Sequence, residues 1–251
     1  MIKLERGECP DALDSDTIDE LTKLYATNNQ KDVWNSPKIK DSLKNALTHM
    51  SHGKCAYCEC ALNIESKDIT IDHFSPKVTH ADRVLEWENL FPSCLRCNRT
   101  KNKQEDVIIN PCYMEPKQFL GVRRTHPYRL AILDETSHIG SNTIDVLDLN
   151  NIKRVMTARF TIGEGVIERL NNLKNEIETC KITKRQIQKL RGILQEGQED
   201  MPYSAVISTL ILNQKSYQEI KNVLLSEAKW TDELYDLEKD LLNLALENIE
   251  E

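Results

Sequence analysis

Apolar residues recur at intervals of three and four positions along much of the chain, which is the period of an amphipathic helix. Near the start the pattern covers residues 15–28 and 37–50, and the first stretch opens on Ser and Asp, which are residue types that cap helices. Further along it covers four stretches, 152–177, 182–194, 205–225 and 234–249. The pattern therefore predicts two helices near the start and a helical C-terminal region.

The middle of the chain has shorter apolar stretches. The β-branched run ITIDHF at 69–74 predicts a strand, and VIIN at 107–110 predicts a second short strand that Pro111 ends. Residues 98–103 have the composition of a first helical turn. Pro, Gly and short apolar runs alternate over 111–150, which predicts a loop-rich segment there.

Four of the eight cysteines form two C-x-x-C pairs, Cys55 with Cys58 and Cys94 with Cys97. Two such pairs separated by a few tens of residues are typical of a structural zinc ion held by four thiolates. A redox pair of the thioredoxin kind, or chance, is the alternative. Cys60 lies two residues beyond the first pair and could compete as a ligand, but we leave it out because C-x-C rarely replaces a C-x-x-C turn.

Length and composition restrict the class of protein. The chain has 251 residues, of which 39% are hydrophobic and 29% are charged. This composition excludes a globally disordered chain and a collagen-like repeat. No apolar run approaches the roughly 18–20 residues that span a bilayer, and the first residues lack the apolar core of a secretion signal. We expect a cytoplasmic protein.

Charge is unevenly distributed. The formal net charge of −7 argues against a protein that coats nucleic acid with its whole surface. Residues 96–103 nevertheless carry four cations and no acid, namely Arg96, Arg99, Lys101 and Lys103. Residues 196–251 carry four cations against thirteen acids, a net charge of −9. We expect the basic centre to bind nucleic acid and the acidic end to face a different partner.

The stretch between and after the cysteine pairs reads IDHFSPK at 71–77, WENLF at 87–91 and CLRCNRTK at 94–101. It resembles the HNH (ββα-metal) endonuclease motif, which has an Asp-His pair at the end of a strand, an Asn in the next loop and a His or Asn after the second cysteine pair. The match makes the set His73, Asn89 and Asn98, an H-N-N variant. It covers roughly residues 55–101.

The resemblance implies a role for each of these residues. His73 would take a proton from the attacking water, and cleavage would then rise through one ionisation near a pKa of about 6.5. Asp72 and Asn98 would bind one catalytic Mg2+ or Mn2+ ion, and Asn89 would hold the imidazole in one orientation. Arg96, Arg99, Lys101 and Lys103 would contact phosphates.

Outside the motif, the start MIKLERG and the stretch TIDVLDLNNIKRVMTAR at 143–159 are similar to the PtuB-like branch of the family. Nucleases of this branch act in Septu and retron-associated anti-phage systems. The branch implies a partner, a PtuA-like ABC/SMC-type ATPase. DNA is the expected substrate, and an RNA such as tRNA is the alternative.

A zinc ribbon that binds nucleic acid or protein without catalysis is the competing class of function. The Asp-His pair together with Asn98 favours the nuclease, because a pure binding module has no need for a carboxylate metal ligand beside an imidazole.

The predicted fold is α+β, mostly α with a small zinc-stapled ββα core. The predicted units are a helical arm (1–51), the HNH core (52–112), a loop-rich connector (113–150) and a C-terminal helical region (151–251).

Overall fold

The computed structural model describes residues 1–28, 32–62 and 69–250. The helices are α1 (Ser15–Thr27), α2 (Lys40–Met50), α3 (Leu95–Lys101), α4 (Ile139–Val146), α5 (Thr157–Thr179), α6 (Lys184–Gln195), α7 (Ser204–Asn213), α8 (Lys215–Ser226) and α9 (Asp232–Leu244). The strands are β1 (Ile69–His73), β2 (Leu90–Cys94), β3 (Leu120–Arg123), β4 (His126–Ile132) and β5 (Glu247–Ile249). The predicted α+β class, mostly helical with small sheets, is confirmed.

A ββα unit lies at the centre of the chain. Strands β1 and β2 pair antiparallel, with His73 opposite Leu90 and Asp72 opposite Phe91. Helix α3 follows β2 without a loop, because the Cys94 sulfur accepts a hydrogen bond from the Cys97 N–H at 3.4 Å and so caps the helix. The helix therefore begins at Leu95, three residues before the turn predicted at 98–103.

The segment predicted as a loop contains a second sheet, so that prediction was wrong. Strands β3 and β4 form an antiparallel hairpin, and β5 pairs parallel with β3. The hairpin turn is Arg124-Thr125, which has neither the Gly nor the Asn that marks a two-residue turn in a sequence. The partner strand β5 lies more than a hundred residues further along, where the local pattern predicted the end of a helix.

Two further predictions are corrected. Residues 107–110 are not a strand, because side chains satisfy their backbone groups: the Ile109 N–H donates to Thr143 Oγ1 at 2.8 Å, and Asn142 Nδ2 donates to the Val107 carbonyl at 3.3 Å. The stretch 205–225 is two helices, since Gln214 adopts extended backbone between α7 and α8.

Buried polar contacts join the first cysteine pair to the C-terminal helices. Lys54 and Glu59 are both buried, and Ser204 at the start of α7 contacts both, with its hydroxyl 2.9 Å from Lys54 Nζ and 2.8 Å from Glu59 Oε2. Arg159 of α5 is also buried and donates to the Leu149 carbonyl at 3.0 Å.

The boundaries predicted for the four units stay a prediction. Within the described ranges no helix is long and apolar enough to cross a membrane.

Candidate functional site

The two cysteine pairs meet at one point. The sulfurs of Cys55, Cys58, Cys94 and Cys97 all lie within 4.8 Å of one another. Four sulfurs bound at about 2.3 Å to a tetrahedral zinc ion lie about 3.8 Å apart, and the Cys58 and Cys94 sulfurs are separated by 3.8 Å. The cluster could therefore hold a zinc ion. The half-exposed Cys60 is not part of this set.

The imidazole of His73 is enclosed at the end of β1. Its Nε2 lies 2.9 Å from the Val84 carbonyl oxygen, and its ring meets the Trp34 ring edge-on with 4.7 Å between the centroids. A carbonyl can only accept, so Nε2 carries the hydrogen and Nδ1 keeps its lone pair. Burial, and then the Lys77 cation, lower the pKa of His73 to about 3. The expected ionisation near 6.5 therefore does not hold for this histidine.

Asp72 lies on the opposite face of β1, as strand alternation requires. The Tyr57 hydroxyl donates to its Oδ2 at 2.5 Å, and Lys101 Nζ lies 3.2 Å from the same oxygen. Burial raises the pKa of Asp72, and the Lys101 cation acts against that rise. Burial beside this carboxylate also raises the pKa of Tyr57 well above its usual range. Oδ1 is the carboxylate oxygen outside these two contacts.

Asn89 fastens the loop that follows β1. Its Oδ1 accepts from the Ser75 N–H at 2.7 Å, and its Nδ2 donates to the carbonyls of Ser75 and Arg83 at 3.2 and 3.0 Å. The loop carries the Val84 carbonyl that binds His73. Asn89 is thus connected to the imidazole through the loop, and in the described part of the chain its hydrogen bonds go to the loop backbone and not to the ring.

Asn98 ties helix α3 to strand β1. Its Nδ2 donates to the Ile71 carbonyl at 3.2 Å and to Thr70 Oγ1 at 3.1 Å. Because both contacts use the amide nitrogen, Oδ1 is the atom that Asn98 can offer to a ligand.

The four cations after the second cysteine pair divide into two kinds. Arg96, Arg99 and Lys103 are exposed on or just after α3. Lys101 is only 1% exposed, and its ammonium donates to the His73 carbonyl at 2.6 Å besides pairing with Asp72. In this geometry Lys101 neutralises the Asp72 carboxylate, whereas the sequence analysis grouped it with the other three as a phosphate contact.

Comparisons with known proteins match the segment that holds these residues. The HNH endonuclease family model matches residues 55–104, which contain both cysteine pairs, Asp72, His73 and both asparagines. The Septu protein PtuB of Bacillus thuringiensis is 33% identical over 244 residues, covering 93% of this chain and 90% of that protein. The chain belongs to the Septu PtuB family. The Septu protein PtuB of Bacillus mycoides (strain KBAB4) is 28% identical over 225 residues, covering 74% of this chain and 75% of that protein.

Membership of the PtuB family, with its HNH endonuclease domain, makes this chain a nuclease of Septu defence. The resemblance to HNH nucleases and to the PtuB-like branch is confirmed.

The structure adds three residues that the sequence did not assign to the PtuB-family site. Tyr57 binds Asp72, Trp34 packs on His73, and Lys77 lies over the Trp34 ring at 4.3 Å from its centroid. Tyr57 lies inside the first C-x-x-C pair, so its position in the motif was the available signal. Trp34 lies outside the HNH match and carries no local signal at all.

Proposed function

We propose that this chain hydrolyses phosphodiester bonds in nucleic acid, with His73 as the general base and one divalent ion at Asp72 and Asn98. The observation that carries the proposal is the hydrogen bond between His73 Nε2 and the Val84 carbonyl. It leaves the lone pair of Nδ1 free to accept a proton from water, as a general base requires.

In the proposed reaction the scissile phosphate lies at the end of β1, where the side chains of Asp72 and His73 diverge around it. His73 Nδ1 takes the proton of a water whose oxygen attacks the phosphorus. The bond from phosphorus to the 3′ oxygen then breaks. Asn89 holds the loop with Val84, and so fixes the orientation of the imidazole during this step. The products would carry 5′-phosphate and 3′-hydroxyl ends.

The proposed ligands for the catalytic ion are Oδ1 of Asp72 and Oδ1 of Asn98. Both are hard oxygen donors, which fits Mg2+ or Mn2+. In each case the other polar atom of the side chain is already engaged, by Tyr57 and Lys101 at Asp72 and by β1 at Asn98. The bound ion would neutralise charge on the phosphate and on the leaving 3′ oxygen.

A zinc ion at the four cysteines would have a structural role in this proposal. It would join the turn after α2 to the start of α3, and thereby hold α3 with Asn98 against β1.

The proposed substrate is DNA. Cleavage at the phosphate makes no use of a 2′-hydroxyl, so the same chemistry would also cut an RNA such as tRNA. The exposed Arg96, Arg99 and Lys103 would contact phosphates on either side of the cleaved bond. The similarity to Septu PtuB supports a PtuA-like ATPase as the partner, and the acidic C-terminal helices would be its docking region. Association with a retron stays a prediction.

The test offers DNA and total RNA together to the chain assembled with its ATPase, with Mg2+ present, and maps the ends of the products. Cleaved DNA with 5′-phosphate ends is the expected result. Cleavage of RNA alone would replace the substrate but keep the mechanism. Binding without cleavage of either would favour the competing function, a non-catalytic zinc-ribbon module.

A further inference from the structure

The ammonium of Lys77 is held beside His73 by an aromatic face. Its Nζ lies 4.3 Å from the centroid of the Trp34 ring, and the same ring meets the His73 imidazole edge-on at 4.7 Å. Lys77 comes four residues after His73, in the motif IDHFSPK. Lys77 is half-buried, and this partial burial lowers the pKa of its ammonium from the usual range.

Among the described residues, no carboxylate contacts the ammonium of Lys77. Lys101, the other cation that acts on His73, is matched by Asp72 at 3.2 Å. Across residues 1–28, 32–62 and 69–250, no carboxylate oxygen forms an ion pair with Lys77 Nζ, and Asp32 and Asp72 act on it only at longer range. An unmatched, partly desolvated cation beside a neutral base is suited to bind an anion.

The segments before the HNH match fix the place of this cation. Tyr25 of α1 donates its hydroxyl to the Lys77 carbonyl at 3.4 Å, and its ring lies 6.2 Å from the Trp34 ring. Trp34 belongs to the short 3-10 turn Val33–Asn35. Both aromatic residues precede residue 55, where the HNH match begins. The arm that precedes the nuclease core therefore shapes the surroundings of His73.

We propose that Lys77 binds a non-bridging oxygen of the phosphate that is cleaved, and that Trp34 is a positioning residue that holds the ammonium beside His73. The inference rests on the proposed role of His73 as the base. Attack by the deprotonated water adds negative charge to the non-bridging oxygens in the transition state, and a fixed cation beside them stabilises that charge and lowers the barrier. Lys77 thus acts on the reaction itself, and Trp34 acts through Lys77.

The test compares Lys77→Met, Lys77→Arg, Trp34→Leu and the double variant Lys77→Met/Trp34→Leu, with Lys23→Met as the matched control. Lys23 is an exposed lysine of α1 whose side chain is 80% accessible. Cleavage of a labelled duplex DNA of mixed sequence is followed in the assembled preparation in which the wild-type chain is active. Thermal melting and zinc content report on folding.

We expect Lys77→Met to lower kcat by about 100-fold with a small change in KM, the size seen when one preorganised electrostatic contact is lost. Lys77→Arg should restore kcat to within about 10-fold of wild type, because it restores the charge. The part of the Trp34 effect that passes through Lys77 is already lost in Lys77→Met. The two losses of rate should therefore not multiply in the double variant. Multiplying losses would overturn the positioning role of Trp34.

Binding gives a second readout that does not depend on turnover. In a His73→Ala background, we measure the slope of log affinity against log salt concentration for the same duplex. The slope should become shallower by about 1 in Lys77→Met, which is the contribution of one phosphate contact, and stay unchanged in Lys23→Met. An unchanged slope together with an unchanged kcat in Lys77→Met would show that the cation only packs on Trp34, and would overturn the proposal. Should His73→Ala itself cleave as wild type does, the proposed function fails, and that outcome is distinct from a failure of Lys77 alone.

Discussion

The Nε2 of His73 lies 2.9 Å from the carbonyl oxygen of Val84, and this contact selects the tautomer of the histidine. Val84 lies in a loop that Asn89 binds through the backbone of Ser75 and Arg83. A residue sixteen positions along the chain thereby controls which ring nitrogen can accept a proton. The first asparagine of the H-N-N set is in this way a support for the base.

The low pKa of His73 predicts how its contribution to stability varies with pH. The folded value is about 3 and the unfolded value is 6.5. Below 6.5 the unfolded chain binds a proton that the folded chain refuses, so His73 contributes stability above 6.5 that is lost as the pH falls toward 3. Lys77 and Lys101 both oppose protonation of the ring, and Asp72 of the same strand faces away and is paired.

The measurement is the free energy of unfolding in urea at pH 7.5 and pH 5.0 for wild type and for His73→Gln. The difference between the two proteins should shrink at the lower pH. A difference that is the same at both values would mean that the imidazole titrates alike in the folded and unfolded chain.

Removal of the zinc ligands should unfold the nuclease core. In Cys94→Ser/Cys97→Ser the link between the first cysteine pair and the start of α3 is lost, and the small ββα unit has little core of its own. Zinc content and thermal melting check this, with the exposed Cys180→Ser as control. About one zinc per chain in a folded double variant would contradict the four-cysteine site.

Loss of the Asn89 side chain should weaken both folding and cleavage. Asn89→Ala leaves the Ser75 N–H and the Arg83 carbonyl without their partner, which costs about 1–3 kcal/mol for each buried group that stays unsatisfied. The cleavage rate of the fully folded variant should also fall, because the loop that carries the Val84 carbonyl is no longer held. Chemical denaturation and cleavage rates under fully folded conditions separate the two effects, and the exposed Asn45→Ala should change neither.

Substitution of each proposed ion ligand predicts a different response to metal. Asp72→Asn should weaken Mg2+ affinity, and added Mg2+ should partly restore the rate, since one charged ligand is lost while the amide oxygen of Asn98 remains. Asn98→His should keep some activity and shift the preference toward Ni2+ or Co2+, which favour nitrogen ligands. Cleavage rates in titrations of each ion check this. Unchanged preference in Asn98→His together with insensitivity of Asp72→Asn to Mg2+ would remove both residues from the ion.

The parts of the site that sequence could predict are those whose signal is local. The cysteine pairs and the strand ending at His73 lie within short motifs, and the structure brings the four sulfurs together. Strand β5 could not be predicted, because it is held by pairing with β3 over a hundred residues away. Trp34 reaches His73 from 39 positions earlier, and only tertiary packing makes that contact. The burial of Lys101 likewise depends on Asp72 across the ββα unit.

The role of His73 as the base is tested by the single-turnover cleavage rate of His73→Ala in the chain assembled with its ATPase, with saturating Mg2+. His49→Ala, an exposed histidine of α2, is the matched control. We expect His73→Ala to lose cleavage while its zinc content, folding and nucleic-acid binding match wild type, and His49→Ala to cleave at the wild-type rate. Equal rates in His73→Ala and wild type would contradict this role.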